Sequence, residues 1–70
     1  MNEISRDSFW KLEDLVAGCQ IQEFFGELTI EHLPSGKVYK DSTGKKLFQS
    51  IRNPEIYLAD PKLIKKFKLK

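Results

Sequence analysis

A second cysteine, a second histidine and a second tryptophan are all missing from this 70-residue chain, and no apolar run approaches the ~20 residues that cross a bilayer. With Cys19 alone, neither an internal disulfide nor a cysteine-based zinc site can form. A lone thiol fits a reducing, intracellular and cytoplasmic setting, and Cys19 is expected to pack as a small buried apolar residue. With His32 alone, a transition-metal site lacks ligands, and no partnered nucleophile stands near a base. His32 is read as a core or edge histidine, and the neighbouring pair Glu13-Asp14 as a solvated helix surface. No metal, cofactor or catalytic residue is expected. The first residues, with Glu3, Asp7, Glu13 and Asp14, lack the basic–apolar–small order of a signal peptide.

Size points the same way. A chain this short buries only about 60% of the surface its unfolded form exposes, so residues 1–70 are read as one small domain. It has no room for a substrate domain beside a catalytic one, which favours a non-enzymatic binding or regulatory module. Its apolar share of 40% is enough for one core and too high for a disordered tail.

What the chain does have is a division of charge. Residues 1–36 carry two basic side chains against seven acidic ones, a net of −5, and residues 37–70 carry ten against three, a net of +7. The modest total of +2 conceals this. A basic half on a small protein points to a polyanionic partner: nucleic acid, an anionic membrane or an acidic protein.

Phe9, Leu12, Leu15, Val16 and Cys19 form one apolar stripe at helical spacing, predicting a helix over about 6–17. Ser5 or Asp7 can cap its start, and Gly18 can stop it in a left-handed conformation. Trp10 lies off the stripe, as a core-edge residue. From residue 20 the period becomes two. Phe24, Leu28, Ile30 and His32 share one face of a predicted strand, Glu27, Thr29 and Glu31 the other, and Gly26 marks a bulge. Leu33-Pro34-Ser35-Gly36 and Asp41-Ser42-Thr43-Gly44 both suit a type I turn followed by a left-handed glycine. Strands of about 24–33, 37–41 and 45–51 follow, with the faces of Val38/Tyr39 and Leu47/Phe48 ambiguous. Asn53-Pro54 and Asp60-Pro61 each place a capping side chain before proline, predicting a short helix over 54–59 and another from 61. The last residues are expected to fray. The expected fold is therefore α+β: an N-terminal helix, a three-stranded antiparallel meander and one or two C-terminal helices.

The basic residues fall into two groups. Lys37, Lys40, Lys45, Lys46 and Arg52 lie in or beside the second hairpin. A two-stranded ribbon can enter the DNA major groove, where lysines at its tip neutralise phosphates and Tyr39, Gln49 and Ser50 could reach phosphates or base edges. These lysines would equally keep a sheet edge soluble. Lys62, Lys65 and Lys66 surround the apolar stripe Leu63, Ile64 and Phe67 of the last helix. They could be solvated, add phosphate contacts, or meet an anionic membrane, for which the apolar face is short. Gly36-Lys37 and Gly44-Lys45 lack the rest of a phosphate-loop pattern.

Residues 39–50, Tyr39-Lys40-Asp41-Ser42-Thr43-Gly44-Lys45-Lys46-Leu47-Phe48-Gln49-Ser50, followed by Glu55-Ile56-Tyr57-Leu58, carry a resemblance. The pattern resembles the N-terminal arm-binding domains of tyrosine recombinases and, more distantly, the methyl-CpG-binding domains. It comprises an aromatic in strand two, a Gly-Lys-Lys turn, a small hydroxyl residue ending strand three and a helix ending in aromatic-leucine. The resemblance covers residues 37–58 and implies a three-stranded sheet packed on a helix and laid in the major groove of duplex DNA. It implies contact roles for Tyr39, Lys45, Lys46 and Gln49. The chain lacks the arginine that methyl-CpG binders carry near the position of Gln49, and the acidic first helix has no counterpart.

The function expected is nucleic-acid binding through the basic hairpin and C-terminal helix, with a nucleoid or nuclear location if the partner is DNA. The alternative is a small protein-interaction module, an inhibitor or adaptor, in which Glu23, Glu27 and Glu31 dock a basic partner or the basic half of a second copy.

Overall fold

The helical stripe folds as expected: the computed structural model, which describes residues 1–70, has helix α1 at Arg6–Ala17. Ser5 caps it, its Oγ accepting the Ser8 N–H at 3.1 Å. Gly18 closes it, donating its N–H to Asp14 O at 3.0 Å, but the left-handed residue is Cys19 (φ 59°). That turn lifts Cys19 off the stripe, so it is exposed and not buried.

The expected three-stranded meander is a five-stranded antiparallel sheet in the order β1-β5-β4-β3-β2. β2 (Thr29–Leu33), β3 (Gly36–Lys40) and β4 (Lys46–Ile51) are the strands foreseen, the first shorter than expected. Phe24 does not extend β2. Gln22–Phe25 form one helical turn, α2, ended by Gly26 at φ 79°, so Gly26 is a helix stop and not a bulge. β2 then lies at the sheet edge with all five residues exposed, His32 among them.

The predicted helix over 54–59 is instead strand β5 (Ile56–Ala59). Asn53-Pro54, with a cis peptide bond, belongs to the turn entering it. Ile56, Tyr57 and Leu58 are β-branched, aromatic and apolar in succession, which suits a strand with partners on both edges. One partner is β4. The other is β1 (Asn2–Ile4), more than fifty residues away and too short to carry a periodicity of its own.

Register sorts the side chains. Tyr39, Phe48 and Ala59 stand in one row across the sheet, with Lys37, Ser50, Tyr57 and Ile4 in the next row of the same face. Phe9 of α1 lands on this face, its ring 5.6 Å from Phe48 and 4.9 Å from Tyr57. Tyr39 and Phe48 stack at 4.2 Å. The ambiguity of Leu47/Phe48 is resolved by a bulge. Tyr39 pairs with Phe48 and Lys40 with Lys46, leaving Leu47 unpaired, and both apolar residues reach the core. Val38 points the other way, in an outer row with Glu31, Gln49 and Leu58.

Asp60 caps α3 (Pro61–Phe67), accepting the Lys62 N–H at 2.8 Å. Leu63 and Leu69 join Leu12, Ile21 and Phe48 in the core, each fully buried large side chain worth about 1.5–3 kcal/mol. The chain end is hydrogen-bonded to the start of α1. Ser5 donates its N–H to Lys70 O at 2.7 Å, and Ser8 Oγ bonds both Lys70 N and O at 3.1 Å.

Both hairpin turns form as read. In the second, Gly44 N–H reaches Asp41 O at 3.0 Å, and the Asp41 carboxylate accepts Thr43 Oγ1 at 2.6 Å and Lys45 N–H at 3.0 Å. The Thr43 hydroxyl holds that carboxyl below its ordinary pKa. In the first, Gly36 adopts φ 147°, and a Cβ built there falls 1.9 Å from Ser50 O. Gly36→Ala is therefore expected to cost on the order of 3 kcal/mol, read as a lower urea midpoint with an unchanged slope.

Candidate nucleic-acid interface

Folding interleaves the two charge halves. Glu13 of α1 meets Lys37 at 3.7 Å, Glu31 of β2 meets Lys40 at 3.3 Å, and Arg6 meets Glu55 at 3.7 Å. Lys45, at the hairpin end, meets Asp60 at 3.4 Å. Three of the hairpin lysines singled out from the sequence thus already face a carboxylate.

Tyr39 was expected as a surface contact and is 5% exposed beneath α1. Its hydroxyl donates to Glu13 Oε2 at 2.8 Å. Burial, then this carboxylate, pushes its pKa well above the ordinary tyrosine value. The same alternation that faces Val38 outward turns the ring in. Gln49 does face outward, half-buried between a buried Val38 and a half-buried Leu58, so this part of the sheet face is not basic. Lys46 is exposed opposite Lys40 and has no ion pair. Arg52 is exposed in the β4–β5 turn, where with Trp10, Lys37, Glu13, Glu55 and Tyr57 it lines a cleft of about 230 Å³. Trp10 is 52% exposed there, under the Arg6 guanidinium at 5.3 Å, so it is a surface ring and not a core-edge residue. The cleft mixes both signs of charge.

A second surface is basic without compensation. Lys62, Lys65 and Lys66 of α3 are exposed, none in an ion pair, and with Phe24 and Phe25 of α2 they border an open recess of about 600 Å³. Phe25 packs against the core, which turns its neighbour outward: Phe24 is 57% exposed. The Lys66 ammonium lies 3.6 Å from the centre of that ring, and Phe67 meets it edge-on at 6.4 Å. The Lys45–Asp60 contact joins this surface to the hairpin, because Asp60 caps the helix that carries the three lysines. Lys62, Lys65 and Lys66 therefore form one basic group, with Lys45 held near its start by Asp60, while Lys37 and Arg52 line the other cleft.

Phe24 was read as an inward strand residue. The adjacency of Phe24 and Phe25 before a glycine is the signal that one of them must face out. Of the acidic residues proposed for protein docking, Glu31 is paired with Lys40, while Glu23 and Glu27 are exposed and unpaired. No three His, Cys, Asp or Glu side chains come together as metal ligands, and no helix is long and apolar enough to cross a membrane. Compared with family models, curated proteins and solved structures, the chain matches none.

The Tyr39–Glu13 contact has a consequence for pH. Raising the folded-state pKa of Tyr39 gives stability that is complete below the unfolded value of 10.0 and is lost as pH rises beyond it. Thermal melts from pH 8 to 12 are expected to fall more steeply above pH 10 for the native chain than for Tyr39→Phe.

Proposed function

We propose that the protein is a nucleic-acid-binding module whose contact surface is the α3 face with the adjoining tip of the β3–β4 hairpin. The observation that carries this reading is the grouping of Lys62, Lys65 and Lys66, none facing a carboxylate, around one open recess. Unpaired ammonium groups hold small counterions that a phosphate backbone displaces, and that release supplies sequence-independent affinity. Lys37 and Lys40 contribute less, since their charge is already met by Glu13 and Glu31.

This reading keeps the basic hairpin and C-terminal helix and moves the weight from the first to the second. Laying the sheet face in a duplex groove, as in the arm-binding and methyl-CpG-binding domains, would set Gln49 and the apolar Leu58 against base edges. Apolar side chains there read only thymine methyls. The outer edge also supports a second reading, a protein-interaction module in which the half-buried Leu58 and the exposed strand β2, with its unpaired backbone groups, meet a partner.

Three variants separate the readings by fluorescence anisotropy. Lys65→Glu with Lys66→Glu is expected to weaken nucleic-acid binding at least about tenfold and to lower the salt slope by about two. Lys37→Gln is expected to leave both unchanged. Leu58→Asp is expected to leave nucleic-acid affinity intact, and a loss of partner capture in that variant alone would favour the second reading.

A further inference from the structure

Phe24 is the feature that lysine solvation leaves unexplained. It sits on a single helical turn whose next residue, Phe25, already fills the core side, and it exposes more than half of its surface among three lysines. Resting on the nucleic-acid reading above, we propose that this surface takes unpaired nucleotides. One base stacks on Phe24, and Lys62, Lys65 and Lys66 meet the flanking phosphates.

An aromatic platform within a basic recess fits a single strand, whose bases are free to turn onto a ring. In a duplex the bases are stacked on one another and present only their edges to the grooves. The ring is already oriented, since Phe67 meets it edge-on and the Lys66 ammonium rests over it at 3.6 Å. Exchange of that ammonium for a base favours binding. An exposed cation–π contact is worth roughly two- to fivefold in an equilibrium constant, and a stacked base roughly five- to 150-fold. The displaced ammonium remains within reach of the phosphate beside the stacked base. Lys62, one turn before Lys65 and Lys66 on α3, extends the basic edge along the strand.

The test uses the full chain and labelled probes of equal length: a deoxythymidine oligonucleotide of about 12 residues, the matching duplex, and vesicles of phosphatidylserine and phosphatidylcholine. The single strand is expected to bind at least about tenfold more tightly than the duplex. Phe24→Leu, which keeps an apolar side chain against Phe67 and removes the π-face, is expected to erase that preference without changing the salt slope. Phe24→Trp is expected to restore it. Lys65→Glu with Lys66→Glu is expected to weaken both nucleic acids. Equal binding of strand and duplex, unaltered by Phe24→Leu, overturns the stacking role and leaves the nucleic-acid reading standing. Absence of binding to either overturns both. Capture by the vesicles in place of the oligonucleotide overturns them in favour of a lipid headgroup surface.

Discussion

The aromatic patch of Phe9, Tyr39, Phe48 and Tyr57 is the constraint on which the other features of this protein depend. Tyr39 and Phe48 face one another across β3 and β4, and their stacked rings make a flat bed on one side of the sheet. Phe9 is the residue of α1 that lies on it, and Glu13, one helical turn further along, takes the Tyr39 hydroxyl. A buried phenol without an acceptor is costly, so the hydrogen bond fixes the position of α1 along the sheet as well as its side. With α1 placed, Leu12 covers the centre of the core, and Ile21 and Phe25 can close its end.

Settling the helix on that face decides which surfaces are left. Val38, Gln49 and Leu58 are turned to the uncovered face by the same alternation that buries Tyr39 and Phe48. Phe24 is turned outward because Phe25 is turned inward. The surfaces offered to a partner are thus by-products of core packing, and neither is centred on the hairpin that carries Lys37, Lys40, Lys45 and Lys46. Ion pairing sharpens the contrast: Glu13, Glu31 and Asp60 draw in Lys37, Lys40 and Lys45, whereas the lysines of α3 have no such neighbours.

The parts of the fold that depend on neighbours in sequence were legible in the sequence. The Ser5 and Asp60 caps, the stripe of α1 and both glycine-ended turns are short-range devices, and each stands where its residues place it. The parts that depend on distant partners were not. Ile56-Tyr57-Leu58-Ala59 follows an Asn-Pro pair that reads as a helix start, and only the pairing of β1 with β5 makes it a strand. The candidate site divides in the same way. Charge was visible along the chain, but whether a given lysine is free is decided by carboxylates from elsewhere in the chain, as Glu13 decides for Lys37. Phe24 was invisible as a surface residue because the turn of helix that exposes it was read as strand.

Joining Asn2–Ile4 to Ile56–Ala59, and Ser5 and Ser8 to Lys70, has a consequence for the time course of folding. The β2–β3–β4 meander closes through short loops and can form early. The first strand and the first helix cap have no complete partners until the last fifteen residues are available. Contacts of such long range slow the search for the native state, because loop closure must precede the contacts that reward it. A growing chain holding only residues 1–55 has a sheet with an unfinished edge at β4 and a helix lacking the cover of Leu63 and Leu69. The sheet and the cover of α1 therefore draw on both ends of the domain at once.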